Sequence, residues 1–281
     1  MLGSHMGGVK VLSPVDAPAL KRLLDVHPIE NIAVAARLDQ FGINRATSGI
    51  ELVGYWESDR LVSVLSDGFS LHPIGATPEA LDAFSRWVEH RRCTSILGVR
   101  DEAIGLWERL CERSFTQWAS PREVRDHQMV MAIPAHTPVR SLARVQVIPT
   151  SHLDAYHDAS IAMYTEEVCV APMDPYGSYR EHVAGLMMKG LTLGVIDAGR
   201  VTFKADIVAQ SGPYCQVGGV WLAPDLRGQG LSVPLMEAVV ALCRERVETV
   251  TLYVNYYNAS AVRCYEAVGF VQVGECATVM Y

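Results

Sequence analysis

The sequence lacks the features that would assign it to a membrane, secreted or metal-binding class. No uninterrupted apolar run reaches the roughly 20 residues that cross a bilayer, and the longest candidate, around Val183 to Ile196, is interrupted by Lys189. The seven cysteines are scattered without a Cys-x-x-Cys pair, which is typical of reduced thiols. His152 and His157 lie five residues apart, off a common helical face. We therefore expect no metal site and no membrane partner.

The chain is also short of basic residues. It carries 24 Lys and Arg against 31 Asp and Glu, for a net charge of −7. A general nucleic-acid binder needs a basic surface that neutralises phosphates, so no nucleic-acid partner is expected. Residues 1–6, MLGSHM, resemble the remnant of an expression tag, and no basic-then-apolar signal peptide follows them. The expected location is cytoplasmic.

What the chain does have is length and apolar content. It contains 281 residues, of which 49% are hydrophobic, enough for two domains with separate cores. The proline-containing stretch at residues 132–142 predicts a linker. We therefore divide the sequence into the tag remnant at 1–6, an N-terminal domain at 7–135 and a C-terminal domain at 136–281.

The C-terminal half has a readable α/β pattern. A helix capped by Thr150 or Ser151 is followed by three strands, a helix, a strand, a helix and a final strand. Asn258 is the predicted cap of the last helix and Gly269 its stop. The pattern predicts a mixed sheet covered by helices.

The N-terminal half repeats this order less clearly. Two strands at 48–68 are followed by a helix with Thr77 as its cap and Pro78 at its first position. The segment "TSILGV" then resembles "TVTLYV" of the second half, and another helix follows it. These likenesses predict two copies of one fold, of which the first is degenerate.

A glycine-containing turn lies between a strand and a helix of the second half. It reads Arg227-Gly228-Gln229-Gly230-Leu231-Ser232. Glycines let a ligand approach the main chain, and the first N–H groups of a helix have no internal partners. The turn therefore predicts a phosphate or pyrophosphate site, against the alternative of a plain connecting loop, and the Ser232 hydroxyl is a further candidate helix cap.

Two nucleotide-binding motifs do not fit this turn. A Walker loop requires Gly-Lys-Ser/Thr, which is absent. A dinucleotide-binding turn requires a third glycine where Val233 stands, and Glu248 precedes the next strand instead of ending it.

Two segments in order resemble the GNAT N-acetyltransferase superfamily. "VWLAPDLRGQGLS" resembles its pyrophosphate-binding signature, and "NASAVRCYEAVGF" resembles its later tyrosine-containing segment. The resemblance covers about residues 144–281 and implies acetyl-CoA as a co-substrate, with no metal. The residues that it assigns to acetyl-CoA binding are Val220, Trp221, Leu222, Arg227, Gly228, Gln229, Gly230, Leu231, Ser232, Asn258 and Tyr265. Asn258 has the alternative of capping its helix only.

The resemblance also implies catalytic roles. Tyr265 matches the tyrosine that protonates the leaving thiolate, with a core tyrosine as the alternative. Glu166 and Glu167 are the candidate bases, near Asp174 and Tyr176, with a solvated acidic helix end as the alternative; Asp206 and His157 are weaker candidates. The thioester is expected beside "GGVWLA", with backbone N–H groups near Trp221 and Leu222 as donors, in a gap between this strand and "TVTLYVN". Gly218-Gly219 permits a bulge there, with the alternative that these glycines only ease packing.

The sequence thus predicts an N-acetyltransferase that moves an acetyl group from acetyl-CoA to a primary amine. The amine belongs to a small molecule, a peptide or a protein lysine. The alternative is a catalytically silent acyl-CoA-binding regulatory protein. The N-terminal half, whose matching turn lacks Arg-x-Gly, is expected to have lost CoA binding and to complete the acceptor cleft, support the active copy or form a homodimer.

Overall fold

A computed structural model describes residues 7–140, 144–168, 170–172 and 177–281. The predicted tag remnant at 1–6, part of the predicted linker, and the predicted site neighbours Asp174 and Tyr176 lie outside the described residues. Three short 3-10 turns are formed by Pro14–Asp16, Thr150–His152 and Pro224–Leu226.

The described elements are strands and α-helices in a mixed α/β arrangement. The strands are β1 (Gly8–Val11), β2 (Glu51–Glu57), β3 (Arg60–Asp67), β4 (Ser70–Ile74), β5 (Ser95–Val99), β6 (Glu123–Ile133), β7 (Gln146–Val147), β8 (Thr192–Asp197), β9 (Arg200–Ser211), β10 (Tyr214–Leu222), β11 (Thr249–Asn255) and β12 (Val271–Met280). The helices are α1 (Ala17–Leu24), α2 (Ile32–Phe41), α3 (Arg45–Ser48), α4 (Pro78–Val88), α5 (Arg100–Arg113), α6 (Phe115–Trp118), α7 (Leu153–Val168), α8 (Ser178–Met188), α9 (Ser232–Cys243) and α10 (Ala259–Val268).

The chain groups into two compact units that are not contiguous in sequence. Unit 1 comprises Met1–Val130, Tyr253–Tyr257 and Gln272–Tyr281, and unit 2 comprises Met131–Leu252 and Asn258–Val271. The sequence boundary placed between residues 135 and 136 stays a prediction.

In unit 1, antiparallel pairs join β1 to β2, β2 to β3 and β3 to β4, and β4 then pairs with β5 in parallel. Helix α4 connects this parallel pair, as a parallel connection requires. On its other edge β5 pairs antiparallel with β12, so that Cys276 is opposite Val99. Phe84 of α4 and Leu106 of α5 lie in the same fully buried core cluster as Leu71 of β4.

Unit 2 repeats the same order of pairing. Strands β7, β8, β9 and β10 pair antiparallel in sequence, and β10 pairs with β11 in parallel across helix α9. Helix α7 packs Tyr156 and Ala159 into a buried cluster with Val183 of α8 and Val201 of β9. The two units therefore share one strand order, which confirms the predicted repeat.

Local signals in the sequence correspond to observed helix ends. Thr77 accepts a hydrogen bond from the N–H of Ala80 at 3.2 Å and caps α4, with Pro78 at the first position. Asn258 caps α10 in the same way, and Gly269 ends that helix with φ of 108°.

Two predicted caps and one linker boundary are wrong. Ser232 is the first residue of α9, and Leu231 occupies the cap position without a side-chain bond. Thr150 and Ser151 form a 3-10 turn ahead of α7 instead of capping it. Strand β6 continues to Ile133, into the segment predicted as linker, because its last residues are apolar and buried.

Among the described residues, no helix is both long enough and apolar enough to cross a membrane.

Candidate active site

The glycine turn projects as an exposed loop between β10 and α9. A 3-10 turn, Pro224–Leu226, leads into Arg227, and the chain then passes through Gly228 and Gly230 with φ of 75° and 72°. Side-chain-bearing residues rarely adopt such angles. A Cβ at either glycine would meet no heavy atom within 4 Å, so the conformation, not crowding, accounts for glycine at both places.

The loop presents a row of unpaired donors. Within the described residues, no acceptor is found for the backbone N–H groups from Gly228 to Val233, and the next N–H to be bonded is that of Leu235, which donates to Leu231. These donors lie at the positive end of the dipole of α9. The arrangement suits an anion with several acceptor oxygens.

Side chains hold the ends of this loop. Arg227 donates through Nε to the carbonyl of Leu222 at 2.9 Å, and Gln229 donates to the carbonyl of Asp225 at 3.0 Å. The Asp225 carboxylate in turn binds the guanidinium of Arg200, with the shorter contact at 2.8 Å. The loop therefore has a defined shape without a ligand.

Strand β10 leaves its parallel neighbour soon after the strand begins. The ladder with β11 covers Tyr214 to Gln216 against Thr249 to Thr251, although β10 itself continues to Leu222. The resemblance implied such a divergence. The second half of β10 is half-buried, unlike its buried first half, so its edge is open to a ligand.

A bulge interrupts β10 at the predicted glycines. Gly218 is opposite Asp206 of β9, yet Trp221 is opposite Lys204, so three steps along β10 match two along β9. Gly219 takes φ of 56° inside this bulge. The prediction that Gly218-Gly219 permits a bulge is confirmed, and the peptide between Gly219 and Val220 is turned out of the regular ladder.

Tyr265 lies on the buried face of α10. It is 8% exposed, and its ring contacts that of Phe270 with centroids 5.9 Å apart. Burial raises the pKa of Tyr265 above its ordinary value, and electrostatic interaction with Cys264 and Glu167 adds to the shift. No residue that the structure describes is found to hydrogen-bond to its hydroxyl. A protonated phenol without a partner among the described residues suits a proton donor.

Asn258 performs the capping role that the sequence left as an alternative. Its Oδ1 accepts bonds from the N–H of Ala261 at 3.3 Å and from the hydroxyl of Ser260 at 3.1 Å. The side chain is therefore oriented by its own helix before any ligand is considered.

Glu166 lies near the exposed C-terminal end of α7 and contacts residues of the glycine loop and of β10. Its Oε1 accepts a bond from the indole N–H of Trp221 at 3.0 Å. Its Oε2 accepts one from the guanidinium of Arg227 at 2.7 Å. Both carboxylate oxygens of this candidate base are thus engaged, whereas the neighbouring Glu167 acts electrostatically on Tyr265 and Tyr179.

Sequence reasoning missed Lys204 as the main partner of Asp206. The two residues belong to a buried charge network behind the bulge. Lys204 is fully buried and donates to Asp206 at 2.6 Å. Tyr156 donates to the other oxygen of Asp206 at 2.7 Å. A signal was present, because residues i and i+2 lie on one face of a strand and the surrounding residues of β9 are apolar. His157 instead contacts the ring of Tyr179, with centroids 5.9 Å apart.

The corresponding turn of unit 1 differs in its electrostatics. Gly75 precedes α4 with φ of 62°, but the carboxyl group of Glu102 in α5 lies near the N–H groups of Gly75 and Ala76. Burial raises the pKa of Glu102 to about 7, and these backbone donors partly oppose the shift. The amides of this turn therefore lie next to a carboxyl group of the protein itself.

The described residues contain no group of three His, Cys, Asp or Glu side chains arranged to hold a metal ion.

Comparison with known proteins finds a family model that matches the region of this site. The sequence profile of the acetyltransferase (GNAT) family matches residues 153–270. A domain of unknown function (DUF4081) matches residues 50–156. No functionally curated protein matches the chain.

Solved structures share the fold over nearly the whole chain. An acetyltransferase of the GNAT family from Colwellia psychrerythraea has a TM-score of 0.60 at 12% identity, covering 98% of this chain and 99% of that one. A GCN5-related N-acetyltransferase from Sphaerobacter thermophilus has a TM-score of 0.64 at 16% identity, covering 100% and 97%. A tandem GNAT protein from the clavulanic acid biosynthesis pathway has a TM-score of 0.53 at 12% identity, covering 98% of each chain.

Residues 153–270 therefore match the model of the GNAT acetyltransferase family, and the chain has the fold of the GNAT structures with a second GNAT-like region. The DUF4081 region fits a divergent copy of the same fold. The match of residues 153–270 to this family supports acyltransfer as the activity.

Proposed function

We propose that the protein is an N-acetyltransferase that transfers the acetyl group of acetyl-CoA to a primary amine. The acceptor is a small molecule, a peptide or a protein lysine. The observation that carries this proposal is the row of N–H groups from Gly228 to Val233, for which the described residues supply no acceptor, next to the point where β10 leaves β11. The loop suits the diphosphate of CoA, and the open edge of β10 suits its pantetheine arm.

Three groups of the protein would then take part in acyl transfer. An N–H group of the bulge, between Val220 and Leu222, donates to the oxyanion that forms when the amine attacks. Tyr265 protonates the departing thiolate, for which its buried and protonated phenol is suited. Glu167 or Glu166 accepts the proton of the attacking amine, with Glu166 first separating from Arg227.

The binding part of the proposal is tested by a charge placed among the loop amides. In Gly230→Asp a carboxylate would face the diphosphate. Its repulsion from the two negative charges of the diphosphate, at about 5 Å in water, amounts to roughly 1.7 kcal/mol. We expect the acetyl-CoA affinity measured by calorimetry to fall about tenfold or more.

Gly212 supplies a matched control. It lies in the turn between β9 and β10, with φ of 52°, and a Cβ there would also meet no heavy atom within 4 Å. Gly212→Asp introduces the same charge at another glycine of positive φ, away from the loop. Equal losses of affinity in both variants would contradict the assignment of the loop.

The transfer itself is tested by following thiol release from acetyl-CoA with a panel of amines. Turnover that depends on an added amine supports the proposed enzyme. Tight binding of acetyl-CoA without turnover for any amine, unchanged in Tyr265→Phe, would instead favour a silent acyl-CoA-binding regulator.

A further inference from the structure

We propose that Lys204 is a positioning residue for acyl transfer: it fixes the carbonyl of Gly219 and thereby orients the N–H of Val220 as the donor to the thioester oxygen. This inference rests on the proposed function and names the part of the fold that sets the geometry of the donor. Lys204, Asp206 and Tyr156 form a buried network behind the bulge.

The ammonium group of Lys204 is sealed inside unit 2. It is 0% exposed and donates to Asp206 Oδ2 at 2.6 Å and to the carbonyl oxygen of Gly219 at 3.0 Å. It also lies 5.2 Å from the centre of the Tyr156 ring. The Gly219 carbonyl therefore accepts a bond from a charged donor, which is stronger than a neutral one.

This bond determines the direction of the next amide. In a trans peptide the carbonyl of one residue and the N–H of the following residue point in opposite directions. When Lys204 holds the Gly219 carbonyl, the N–H of Val220 must point away from the network. The bulge leaves Gly219 and Val220 outside the regular pairing with β9, so the ladder does not fix this peptide and the lysine does.

The contact is close enough to limit movement of the bulge. A Cβ built on Gly219 would lie 2.6 Å from Asp206 Oδ2 and 2.9 Å from Lys204 Nζ. The main chain thus rests directly on the charged pair, and φ of 56° at Gly219 is a conformation that glycine tolerates.

Stability alone does not account for the network. Replacing a buried ion pair by well-packed neutral residues is often neutral or stabilising, whereas removing one partner is strongly destabilising. The carboxylate of Asp206 is itself held, since Tyr156 donates to its Oδ1 at 2.7 Å. The ion pair of Lys204 and Asp206 is costly to bury and is oriented by Tyr156. Because Lys204 also donates to the carbonyl of Gly219 in the bulge, the network indicates a geometric role.

The test uses a variant that removes the donor without leaving a charge. Lys204→Met alone would strand the buried carboxylate, so the paired variant Lys204→Met/Asp206→Asn is used, which keeps an oxygen for Tyr156. Thr202→Val is the control, because Thr202 is also buried on β9, and its hydroxyl donates to the carbonyl of Val195 and not to the Gly219 carbonyl.

Three quantities are measured for each protein: acetyl-CoA affinity, kcat, and the infrared stretch of the 13C-labelled acetyl carbonyl when bound. Loss of one oxyanion donor lowers kcat by about 10²–10³-fold. In the paired variant we expect a fall of this order with affinity within about twofold of the wild type. The bound carbonyl should absorb at a higher frequency than in the wild type, while Thr202→Val leaves all three quantities unchanged.

A folded paired variant with wild-type kcat and carbonyl frequency would overturn the inference. A purely structural role would lower the folded fraction without shifting the carbonyl band of the bound molecules, and that result would also overturn it. Failure of the proposed function is seen in the wild type alone, which would then neither bind acetyl-CoA nor transfer its acyl group. Failure of the Lys204 inference is seen only when an active wild type is compared with the paired variant.

Discussion

Glu166 should weaken the binding of acetyl-CoA, and its removal should strengthen it. Its carboxylate holds the guanidinium of Arg227 at 2.7 Å and the indole of Trp221 at 3.0 Å. Arg227 is the cation that we assign to the diphosphate. The carboxylate and the diphosphate therefore compete for one guanidinium, and Glu166→Gln removes the competitor while keeping an oxygen for the indole.

The size of the effect follows from the exposure of the pair. The side chains of Arg227 and Glu166 are 46% and 43% exposed, and exposed ion pairs are typically worth about 0.2–1 kcal/mol. Since about 1.4 kcal/mol corresponds to a tenfold change, Glu166→Gln should tighten binding by about 1.5- to 5-fold. Added salt should reduce the difference, because it screens exposed charges.

Calorimetric titration with acetyl-CoA at low and at high salt measures this effect. Asp225→Asn is the matched control, because Asp225 also forms an exposed ion pair beside the loop, with Arg200 at 2.8 Å. That variant removes the same charge but leaves Arg227 paired. Weaker binding in Glu166→Gln, or equal tightening in both variants, would refute the competition.

Three further outcomes are expected. Tyr265→Phe should lower kcat by about 10²-fold or more with unchanged acetyl-CoA affinity, and a wild-type kcat would exclude it as the acid. Asn258→Ala should lower the free energy of unfolding by about 1 kcal/mol in chemical denaturation. A loss of acetyl-CoA binding free energy of the same size would show that Asn258 also contacts the ligand. The pKa of Glu102 is raised to about 7 from 4.5, so its carboxyl group destabilises the fold increasingly as pH rises through this interval. Glu102→Gln should therefore be more stable than the wild type at pH 8, by up to about 3 kcal/mol, but not at pH 4. A stability difference between variant and wild type that is the same at both pH values would contradict this.

Much of unit 2 was readable from local patterns. The strands β8 to β11 follow runs of apolar and β-branched residues, and Asn258 and Gly269 define both ends of α10 by capping chemistry that acts within a few residues. The conformation of the glycine loop was predictable for the same reason, since φ near 70° at Gly228 and Gly230 is a property of the residue type.

The contacts that organise the site were not readable in this way. Glu166 and Arg227 are 61 residues apart in the chain, and no local signal relates them. The pairing of β5 with β12 likewise joins residues far apart in the chain, such as Val99 and Cys276. Lys204 and Asp206 were within reach, because opposite charges two residues apart in an apolar strand indicate a buried pair. Their bond to Gly219 required the three-dimensional structure.

The central claim, that the loop amides hold the diphosphate, is tested most directly by two-dimensional NMR of the backbone amides. Acetyl-CoA and acetyl-pantetheine, which lacks the diphosphate, are titrated in parallel. The account predicts that acetyl-CoA alone shifts the resonances of Gly228, Gly230 and Ser232 downfield, as charged acceptors engage these N–H groups. Resonances that stay in place at saturating acetyl-CoA, or that respond equally to acetyl-pantetheine, would contradict it.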